Sequence, residues 1–299
     1  MSSAIFTPPI SCPLSASIKQ AEHETFFRQM LGEIEQPTIP FGWNEMHSSQ
    51  PADMRQAQMW LDDTLAPRLH QCAQEFSVSR VSIVYVAWAM LLATVSGGEE
   101  IVFGAVLSEQ VFGTEENTWS NLLPLRLQVG ASDTQAAVSL AHLTLTQLMQ
   151  HRHAPLWLAQ GCSGLAPALP LFLAVICYHY THAPHRATDA CLEAARNTTP
   201  AAFSSIETSW ENYPLTMLVD DFLDRTRLTV YAKTPISAEH VCALMHTALE
   251  SLLTALESTP QKALHHLSIL PAAERQQVLQ EFNATETVLD GMNPFNWIL

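Results

Sequence analysis

The stretch VSIVYVAWAMLLATVSGGEEIVFGAVL, residues 81–107, places an apolar helix directly before an apolar strand. Its first part runs for about fifteen residues without a charged side chain, which is short of the ~20 that span a bilayer and predicts a helix in a protein core. Gly97 and Gly98 end this helix, because glycine adopts the left-handed conformation of a helix C-terminus at low cost. Residues 100–107 are rich in β-branched side chains and apolar at nearly every position, which predicts a central strand covered on both faces. The stretch therefore indicates a sheet packed against buried helices.

Outward from this stretch, helical and strand-like patterns alternate without strict βαβ repetition. Apolar residues at helical spacing predict helices over residues 21–31, 65–76, 133–151, 236–256 and 271–282. Alternating or continuous apolar runs predict strands over residues 122–129, 170–180, 203–208, 215–219 and 227–232. We predict a mixed α/β sandwich with its sheet between residues 100 and 232, covered by the helices near Val81, Ala137 and Val241.

Single residues mark where several elements begin or end. Ser77 or Ser79 supplies the N-cap of the apolar helix, and Ser132 or Asp133 supplies that of the helix before residue 151. Pro124 confines its strand to an edge or a bulge, because proline has no N–H for the ladder.

Two stretches are predicted to be irregular connectors. Residues 33–53 hold Pro37, Pro40 and Pro51, and we expect them to be ordered where Phe41 and Trp43 pack. Residues 183–200 are polar and lack periodicity, which is typical of a loop.

Charge and composition exclude several classes of protein. The 299 residues are 47% hydrophobic and 14% charged, which favours a globular protein with a sizeable core over a disordered or fibrous chain. With 14 Lys and Arg against 29 Asp and Glu, the net charge of -15 repels phosphate backbones. Since the sequence has no basic stripe, it gives no support to nucleic-acid binding.

The cysteines and the N-terminus both indicate the cytoplasm. The six cysteines show no paired framework and no CxxC spacing, which favours reduced thiols. Pro8, Pro9 and Pro13 interrupt the first apolar residues, and no basic residue precedes them, so the pattern of a secretory signal is missing. The prediction is a cytoplasmic protein without a membrane span. The cysteines are Cys12, Cys72, Cys162, Cys177, Cys191 and Cys242.

Motifs for nucleotide, nucleophilic and metal chemistry are weak. The glycines form neither GxGxxG nor GxxxxGK[ST], which gives no support to a phosphate-binding loop. Residues 161–164, GCSG, lack the spacing of a serine-hydrolase elbow and are interpreted as a turn. His179, His182 and His185 stand at three-residue intervals, but Pro184 interrupts any helix through them. A strand exit and loop is therefore favoured over a metal site.

Other histidines receive structural interpretations. His151 and His153 follow a long helix, where an imidazole favours the negative end of the helix dipole, so we predict that they cap it. His265 and His266 form the one adjacent histidine pair, and no acidic or glycine partner follows them. A loop or strand edge is favoured there over a catalytic base.

Six segments, in this order, resemble the condensation domain of nonribosomal peptide synthetases. They are AEHETFFRQMLGEIEQPTIPFGW (residues 21–43), EEIVFGAVL (99–107), NLLPLRL (121–127), HRHAPLWLAQGCSG (151–164), ENYPLTMLVDD (211–221) and ILPAAERQQVLQEFNAT (269–285). The family fold consists of two chloramphenicol-acetyltransferase-like halves around a tunnel, and these segments match the second half. The last segment resembles the connection from a condensation domain to an adenylation domain.

The resemblance implies a fold and a division of the chain. The implied fold is α/β, a chloramphenicol-acetyltransferase-like two-layer sandwich that forms one of the two halves. Residues 1–20 are an irregular lead, 21–60 a helix and connector between the halves, 61–270 the C-terminal half, and 271–299 a linker-like helix and tail. The family's catalytic motif, HHxxxDG, lies in the first half and does not occur in this sequence. No catalytic residue and no metal ligand is therefore assigned.

The resemblance also indicates which residues of this chain correspond to the motif positions of the family. The segment that reads GxFxNTLPxR in the family keeps its Asn, Pro and Arg here, whereas its glycine and threonine are replaced. Within residues 171–181, LFLAVICYHYT, Cys177 and His179 stand where relatives carry Asn and Arg, which changes the implied polarity of the tunnel lining. The NYPL segment is interpreted equally well as a strand that begins at a proline. The substrate-tunnel or family-motif candidates are Asn121, Pro124, Arg126, His151, His153, Pro155, Asn212, Tyr213 and Pro214.

Three functions stay open at this point. The first is a truncated condensation domain, whose family forms amide bonds between carrier-bound thioesters, inactive alone because HHxxxDG is absent. The second is a component of a split enzyme that a separate first half completes. The third is a non-catalytic module that docks a carrier protein, against which the charge of -15 argues because carriers are generally acidic.

The resemblance implies partners rather than a bound cofactor. These are carrier-protein and adenylation domains of a peptide synthetase, with substrates tethered through phosphopantetheine. An apolar face left by a missing first half would favour self-association.

Overall fold

Six strands form one mixed sheet within the residues that the structure describes. The computed structural model describes residues 20–43, 53–110, 117–166, 169–180, 212–222 and 225–277. The strands are β1 (Met54–Trp60), β2 (Glu100–Gln110), β3 (Asn117–Gln128), β4 (Ala174–Tyr180), β5 (Leu215–Asp221) and β6 (Thr226–Lys233). The helices are α1 (Gln20–Leu31), α2 (Leu65–Glu75), α3 (Arg80–Ser96), α4 (Thr134–Gln150), α5 (Leu156–Gly161), α6 (Ala238–Ser258) and α7 (Ala272–Gln276), with 3-10 turns at Pro40–Gly42 and Leu264–His266.

The sheet order β1-β6-β5-β4-β2-β3 combines parallel and antiparallel neighbours. Strand β4 runs parallel to both β2 and β5, whereas the pairs β1–β6, β5–β6 and β2–β3 are antiparallel. The parallel register of β4 and β5 extends from the pair Ala174 and Leu215 to the pair Tyr180 and Asp221, so their carboxyl ends lie side by side. The predicted mixed α/β fold is confirmed, and the sheet reaches back to Met54.

Helix α3 is the core helix that the apolar stretch predicts. All its residues from 82 to 92 are buried, including Trp88, whose side chain is fully inaccessible. The ring of Tyr85 meets Phe103 of β2 edge-on, with 5.8 Å between the ring centroids. Each such large apolar side chain contributes about 1.5–3 kcal/mol when it is withdrawn from water, so this contact joins the helix firmly to the central strands.

The structure decides between the alternative helix caps. Ser79 caps α3, because its Oγ accepts a backbone N–H of the first turn at 3.2 Å, whereas Ser77 lies outside the helix. Asp133 caps α4, since its Oδ1 accepts a first-turn N–H at 2.6 Å. Gly97 ends α3 in the left-handed conformation, with a φ of 73°, as its sequence position predicts.

Strand β3 lies at the sheet edge, which confirms the position predicted from Pro124. This proline faces Gly104 of β2, and Gly104 has no room for a side chain. A Cβ atom there would lie 2.5 Å from the ring of Phe172 and 2.8 Å from Leu122 Cδ1. The absence of a side chain on Gly104 therefore lets Phe172 pack directly on the sheet.

We expect Gly104→Ala to destabilise the protein by about 1–3 kcal/mol, because overfilling a packed site displaces its neighbours. Urea unfolding followed by circular dichroism measures the difference. Gly161→Ala is the matched control, since nothing lies within 4 Å of its added Cβ. We expect that change in helix α5 to be neutral or stabilising by about 0.5–1 kcal/mol. Equal midpoints for the two variants would contradict the close packing at Gly104.

Three parts of the described chain differ from the sequence-based expectation. Strand β1 is absent from the prediction, because MRQAQMW has few residues of high β propensity. The strand forms through its antiparallel pairing with β6. Strand β4 begins at Ala174 rather than at residue 170, and Phe172 before it forms only an isolated bridge with Thr38. The expected packing of Phe41 is only partial, since this side chain is 38% exposed and its ring centre lies 6.5 Å from that of His240. The elements predicted at residues 183–200, 203–208 and 278–282 lie outside the described residues.

The chain divides into two compact units, residues 1–269 and residues 270–299. The first contains the sheet and helices α1 to α6, and the second contains α7. No single helix of the described residues is long and apolar enough to cross a membrane; α2 and α3 meet that criterion only as a pair bent by 111°. The four cysteines within the described ranges, Cys72, Cys162, Cys177 and Cys242, are buried and unpaired.

Candidate functional site

Asn121 fastens the turn between α4 and α5 to the edge strand β3. Its Nδ2 donates to the carbonyl oxygens of Arg152 and Ala154, both at 2.8 Å. Its Oδ1 accepts the backbone N–H of Leu122 at 2.9 Å. The turn then enters α5 at Pro155, whose carbonyl accepts the first N–H bonds of that helix. The asparagine and the proline of the family segments therefore fix the path of the chain here.

We expect Asn121→Ala to destabilise the fold by about 1–3 kcal/mol, because the carbonyls of two buried residues lose their donor. Thermal unfolding at neutral pH measures the change. Asn212→Ala is the control, since Asn212 is exposed and such surface changes stay within about 0.5 kcal/mol. A loss at Asn121 no larger than that at Asn212 would show that the turn holds its place by other contacts.

His151 lies against α1 and does not cap α4 with its side chain. Its Nδ1 is 2.9 Å from Nδ1 of His23, and its ring stacks on Phe26 with 4.1 Å between centroids. Only its backbone N–H bonds back to α4, at the carbonyl of Leu148. Burial lowers the pKa of His151, which disfavours the charged form that capping of the helix dipole needs. The predicted capping role is wrong for this side chain; His153, two residues on, is exposed.

Arg126 joins the end of α1 to the sheet edge. Its Nη1 donates to the carbonyl of Met30 at 2.9 Å, and its Nε and Nη2 donate to Glu100. Nη2 also lies 3.4 Å from Glu33. The guanidinium is thus positioned by one carbonyl and two carboxylates, which neutralise its charge.

A cleft of about 320 Å³ opens beside Arg126, between α1, α4 and the end of β3. Phe26 and Met30 of α1 and Leu140 of α4 form apolar walls, and Thr144 adds a hydroxyl. Leu140 is 54% exposed, so the mouth of the cleft presents apolar surface. The volume falls in the range of small ligand sites. Among the described residues that line the cleft, none is a cysteine, histidine or serine that could act as a nucleophile or base.

The NYP segment has contacts elsewhere in the fold. Tyr213 stacks on Phe172 with 5.5 Å between ring centroids, and burial raises the pKa of its hydroxyl to about 12. Pro214 is buried, and its carbonyl accepts the N–H of Lys233 at 2.8 Å. Asn212 is exposed. These contacts anchor the start of β5, as expected of a strand that begins at a proline.

Buried charges meet at the carboxyl ends of β4 and β5, a position at which the sequence points to His179 alone. We call Arg80, Tyr178, His179, Asp220, Asp221 and Arg227 the strand-end cluster. Asp221, 1% exposed, lies 2.7 Å from Nη1 of Arg80 and accepts the hydroxyl of Tyr178. Asp220, 3% exposed, accepts Nε and Nη2 of Arg227 at 3.0 and 2.7 Å. Nδ1 of His179 is 3.5 Å from Asp220.

Aromatic rings enclose the arginines of the strand-end cluster. The guanidinium of Arg227 lies 5.6 Å from the ring centre of Trp60 and 5.7 Å from that of Phe222. Arg80 lies 5.0 Å from the ring centre of Tyr180. Rings at these distances attract a cation and exclude water, which strengthens the neighbouring ion pairs.

Cys177, which the resemblance places in the tunnel lining, is a core residue. It is 1% exposed within β4, and burial raises the pKa of its thiol to about 12. A thiol in that state is no nucleophile at neutral pH. His182 and His185 lie outside the described residues, within which no group of three or more His, Cys, Asp or Glu is arranged to hold a metal ion.

A model of the family described as "Condensation domain" matches residues 14–279. Among curated proteins, the malpibaldin synthetase of Mortierella alpina is 35% identical over a 295-residue alignment, which covers 94% of this chain and 5% of the synthetase. The chain therefore spans only a small part of the relatives that it matches.

Solved structures share the fold. The condensation domain of the monacolin K polyketide synthase MokA superposes with a TM-score of 0.59 at 18% identity, over 82% of this chain and 59% of that one. A four-domain nonribosomal peptide synthetase bound to AMP and glycine gives a TM-score of 0.63 at 13% identity, over 87% of this chain and 21% of that one. At these identities the likeness concerns the fold alone.

Proposed function

The chain belongs to the condensation-domain family, and we propose that it takes part in amide-bond formation by a nonribosomal peptide synthetase. The observation that carries this proposal is the family match over residues 14–279, which includes the whole described sheet. The substrates are aminoacyl or peptidyl thioesters tethered by phosphopantetheine to carrier proteins, and adenylation domains supply the amino acids. The reaction takes place in the cytoplasm.

Within that reaction, the chain contributes the half that does not carry HHxxxDG. Amide formation joins the acceptor amine to the thioester carbonyl carbon and releases the pantetheine thiol. The step needs a proton acceptor for the amine and a partner for the tetrahedral oxyanion. The one adjacent histidine pair, His265 and His266, continues into Leu267 and not into the family pattern. A first half with HHxxxDG therefore supplies the proton acceptor, and the chain alone is inactive.

The described residues support a positioning role for this half. Asn121 and Arg126 hold the turn after α4 and the end of α1 in place, and Arg126 lines the cleft. We assign the cleft, with Arg126 in its wall, to this half's side of the substrate tunnel, and we assign Asn121 and Pro155 to the positioning of the turn before α5. Leu143 and Trp157 are 54% and 66% exposed, and this apolar surface supports self-association of the chain when no first half is present.

The test is reconstitution from two polypeptides. Donor and acceptor carrier proteins loaded with aminoacyl phosphopantetheine are incubated with the chain, with an HHxxxDG-bearing first half of a condensation domain, or with both. Mass spectrometry of the acceptor carrier detects the dipeptidyl thioester. We expect product only with both polypeptides, and we expect alanine at the second histidine of HHxxxDG to abolish it. Product from the chain alone would disprove the assignment of this chain to the half without HHxxxDG. Absence of product in every combination would disprove the proposed reaction.

A further inference from the structure

Two buried histidines from distant parts of the sequence form a direct contact that the proposed function does not use. His23 of α1 and His151 after α4 are 128 residues apart, and their Nδ1 atoms lie 2.9 Å from each other. The two residues are 8% and 9% exposed. One Nδ1 must carry a hydrogen and donate it, while the other must be bare and accept it. The contact therefore exists only in particular protonation states.

Two phenylalanine rings of α1 pack on His151. Phe26 stacks on the ring of His151 with an interplanar angle of 7°, and Phe27 meets the same ring at a steep angle. Burial away from water disfavours charge, and it is the main cause that lowers the pKa of both His23 and His151.

We propose that His23 and His151 form a proton-sensitive latch, which holds the first turns of α1 on the fold at neutral pH and releases them when both imidazoles are protonated. The first proton enters at the Nε2 of the donating ring and leaves the N–H···N bond intact. The second must occupy the accepting Nδ1, which ends the bond and places two positive charges side by side. Release therefore takes up two protons and is steeper than the titration of one histidine.

The direction of the pH dependence follows from the neutral state of the pair. Both imidazoles have a pKa below the ordinary value of 6.5 in the folded protein. The unfolded chain thus binds more protons near that pH, and stability falls as the pH falls. The latch is fully closed above pH 6.5 and opens as the pH drops through the folded values.

Charged groups near the pair have opposite effects on its protonation. The carboxylate of Glu22 on α1 favours protonation of both imidazoles, whereas His153 on the turn disfavours that of His23. Arg152, which is 8% exposed, lies between His151 and His153 in the sequence and adds a positive charge to the same turn. On the α5 side, Arg28 faces the thiol of Cys162. The charged neighbours therefore act in both directions, and burial together with the repulsion between the two imidazoles opposes the second protonation.

A separate contact, independent of this titration, limits what the latch releases. Arg126 holds the last turn of α1 through the Met30 carbonyl, so opening is confined to the first turns. Phe26, which stacks on His151, also lines the cleft beside Arg126. Release of the latch therefore removes one apolar wall of the cleft, and the proton concentration controls its shape.

Hydrogen exchange measured by mass spectrometry tests the latch in the full chain. Exchange of peptides from α1 is compared with that of α6 between pH 7.5 and pH 5, after correction for the intrinsic rate at each pH. We expect protection of the first turns of α1 to fall by about tenfold or more, while α6 keeps its protection. Constant relative protection of α1 across this range would overturn the proposal.

Two variants separate the pair from its surroundings. His151→Gln leaves one titrating group, so we expect a shallower pH profile for α1. His153→Gln is the matched control on the same turn, and we expect it to keep the steep profile. If His151→Gln does not fold, nitrogen-15 spectra of the wild-type imidazoles decide. Titration of His23 and His151 below pH 6.5 supports the latch, and protonation of both at pH 7 refutes it.

Discussion

Asp221→Ala is expected to destabilise the protein by about 3–5 kcal/mol, because it leaves Arg80 without its buried counter-charge. The carboxylate of Asp221 is 1% exposed, contacts Nη1 of Arg80 at 2.7 Å and accepts the hydroxyl of Tyr178. Loss of the carboxylate removes both contacts and leaves the guanidinium of Arg80, whose side chain is 15% exposed, without its counter-charge. Urea unfolding at neutral pH measures the free energy of unfolding of the variant against that of the wild type.

The exposed ion pair between Arg68 and Glu257 is the matched control. Its side chains are 26% and 38% exposed, so water screens the charges and Glu257→Ala should cost less than about 1 kcal/mol. Replacing both partners of the buried pair, by Arg80→Met with Asp221→Leu, should recover most of the loss, because no charge is left behind. A similar cost for Asp221→Ala and Glu257→Ala would refute the assignment of a buried ion pair.

The core of the fold could be predicted from the sequence because its signals are local. The apolar residues of α3 and the glycine that ends it lie within one stretch, as do the apolar positions of β2. Asp133 and Pro124 likewise act on their own element, by capping a helix and by excluding an interior strand position. Such signals depend on backbone chemistry over a few residues and need no knowledge of the tertiary fold.

Strand β1 and the strand-end cluster could not be predicted, because both depend on neighbours that are distant in sequence. The residues of β1 form a strand through their antiparallel pairing with β6, more than 160 positions further along the chain, where Met54 faces Lys233 and Trp60 faces Arg227. The cluster requires the knowledge that β4 and β5 are parallel neighbours, which brings His179 opposite Asp220. The polar ends YHY and DD of two apolar runs are the one signal that could have indicated it.

The family resemblance identified positions in the site but not what their side chains do. Asn121 and Arg126 are family-motif residues. In the structure, Asn121 donates to carbonyls of the turn before α5, and Arg126 donates to a carbonyl of α1. His151 was expected to interact with the helix that precedes it, yet its side chain contacts His23 on α1. A motif fixes the residue type at a position, whereas the partner depends on which element packs against it.

The second large effect concerns Trp88 at the centre of α3. Trp88→Ala should destabilise the protein by about 3–5 kcal/mol, since a fully buried indole leaves a cavity that its neighbours only partly fill. Thermal and urea unfolding both measure this loss. Trp157→Ala is the control of the same chemistry, because Trp157 is 66% exposed and its removal should change stability by no more than about 0.5 kcal/mol.

Trp88→Phe separates packing from hydrogen bonding at the same position. Nε1 of Trp88 is buried and has no hydrogen-bond partner within the described part of the chain. Phenylalanine removes this unsatisfied donor, which offsets part of the packing that is lost with the larger ring. We therefore expect a clearly smaller loss than for alanine. If phenylalanine is as costly as alanine, the indole N–H is bonded in the folded protein, and the packing around α3 differs from that described here.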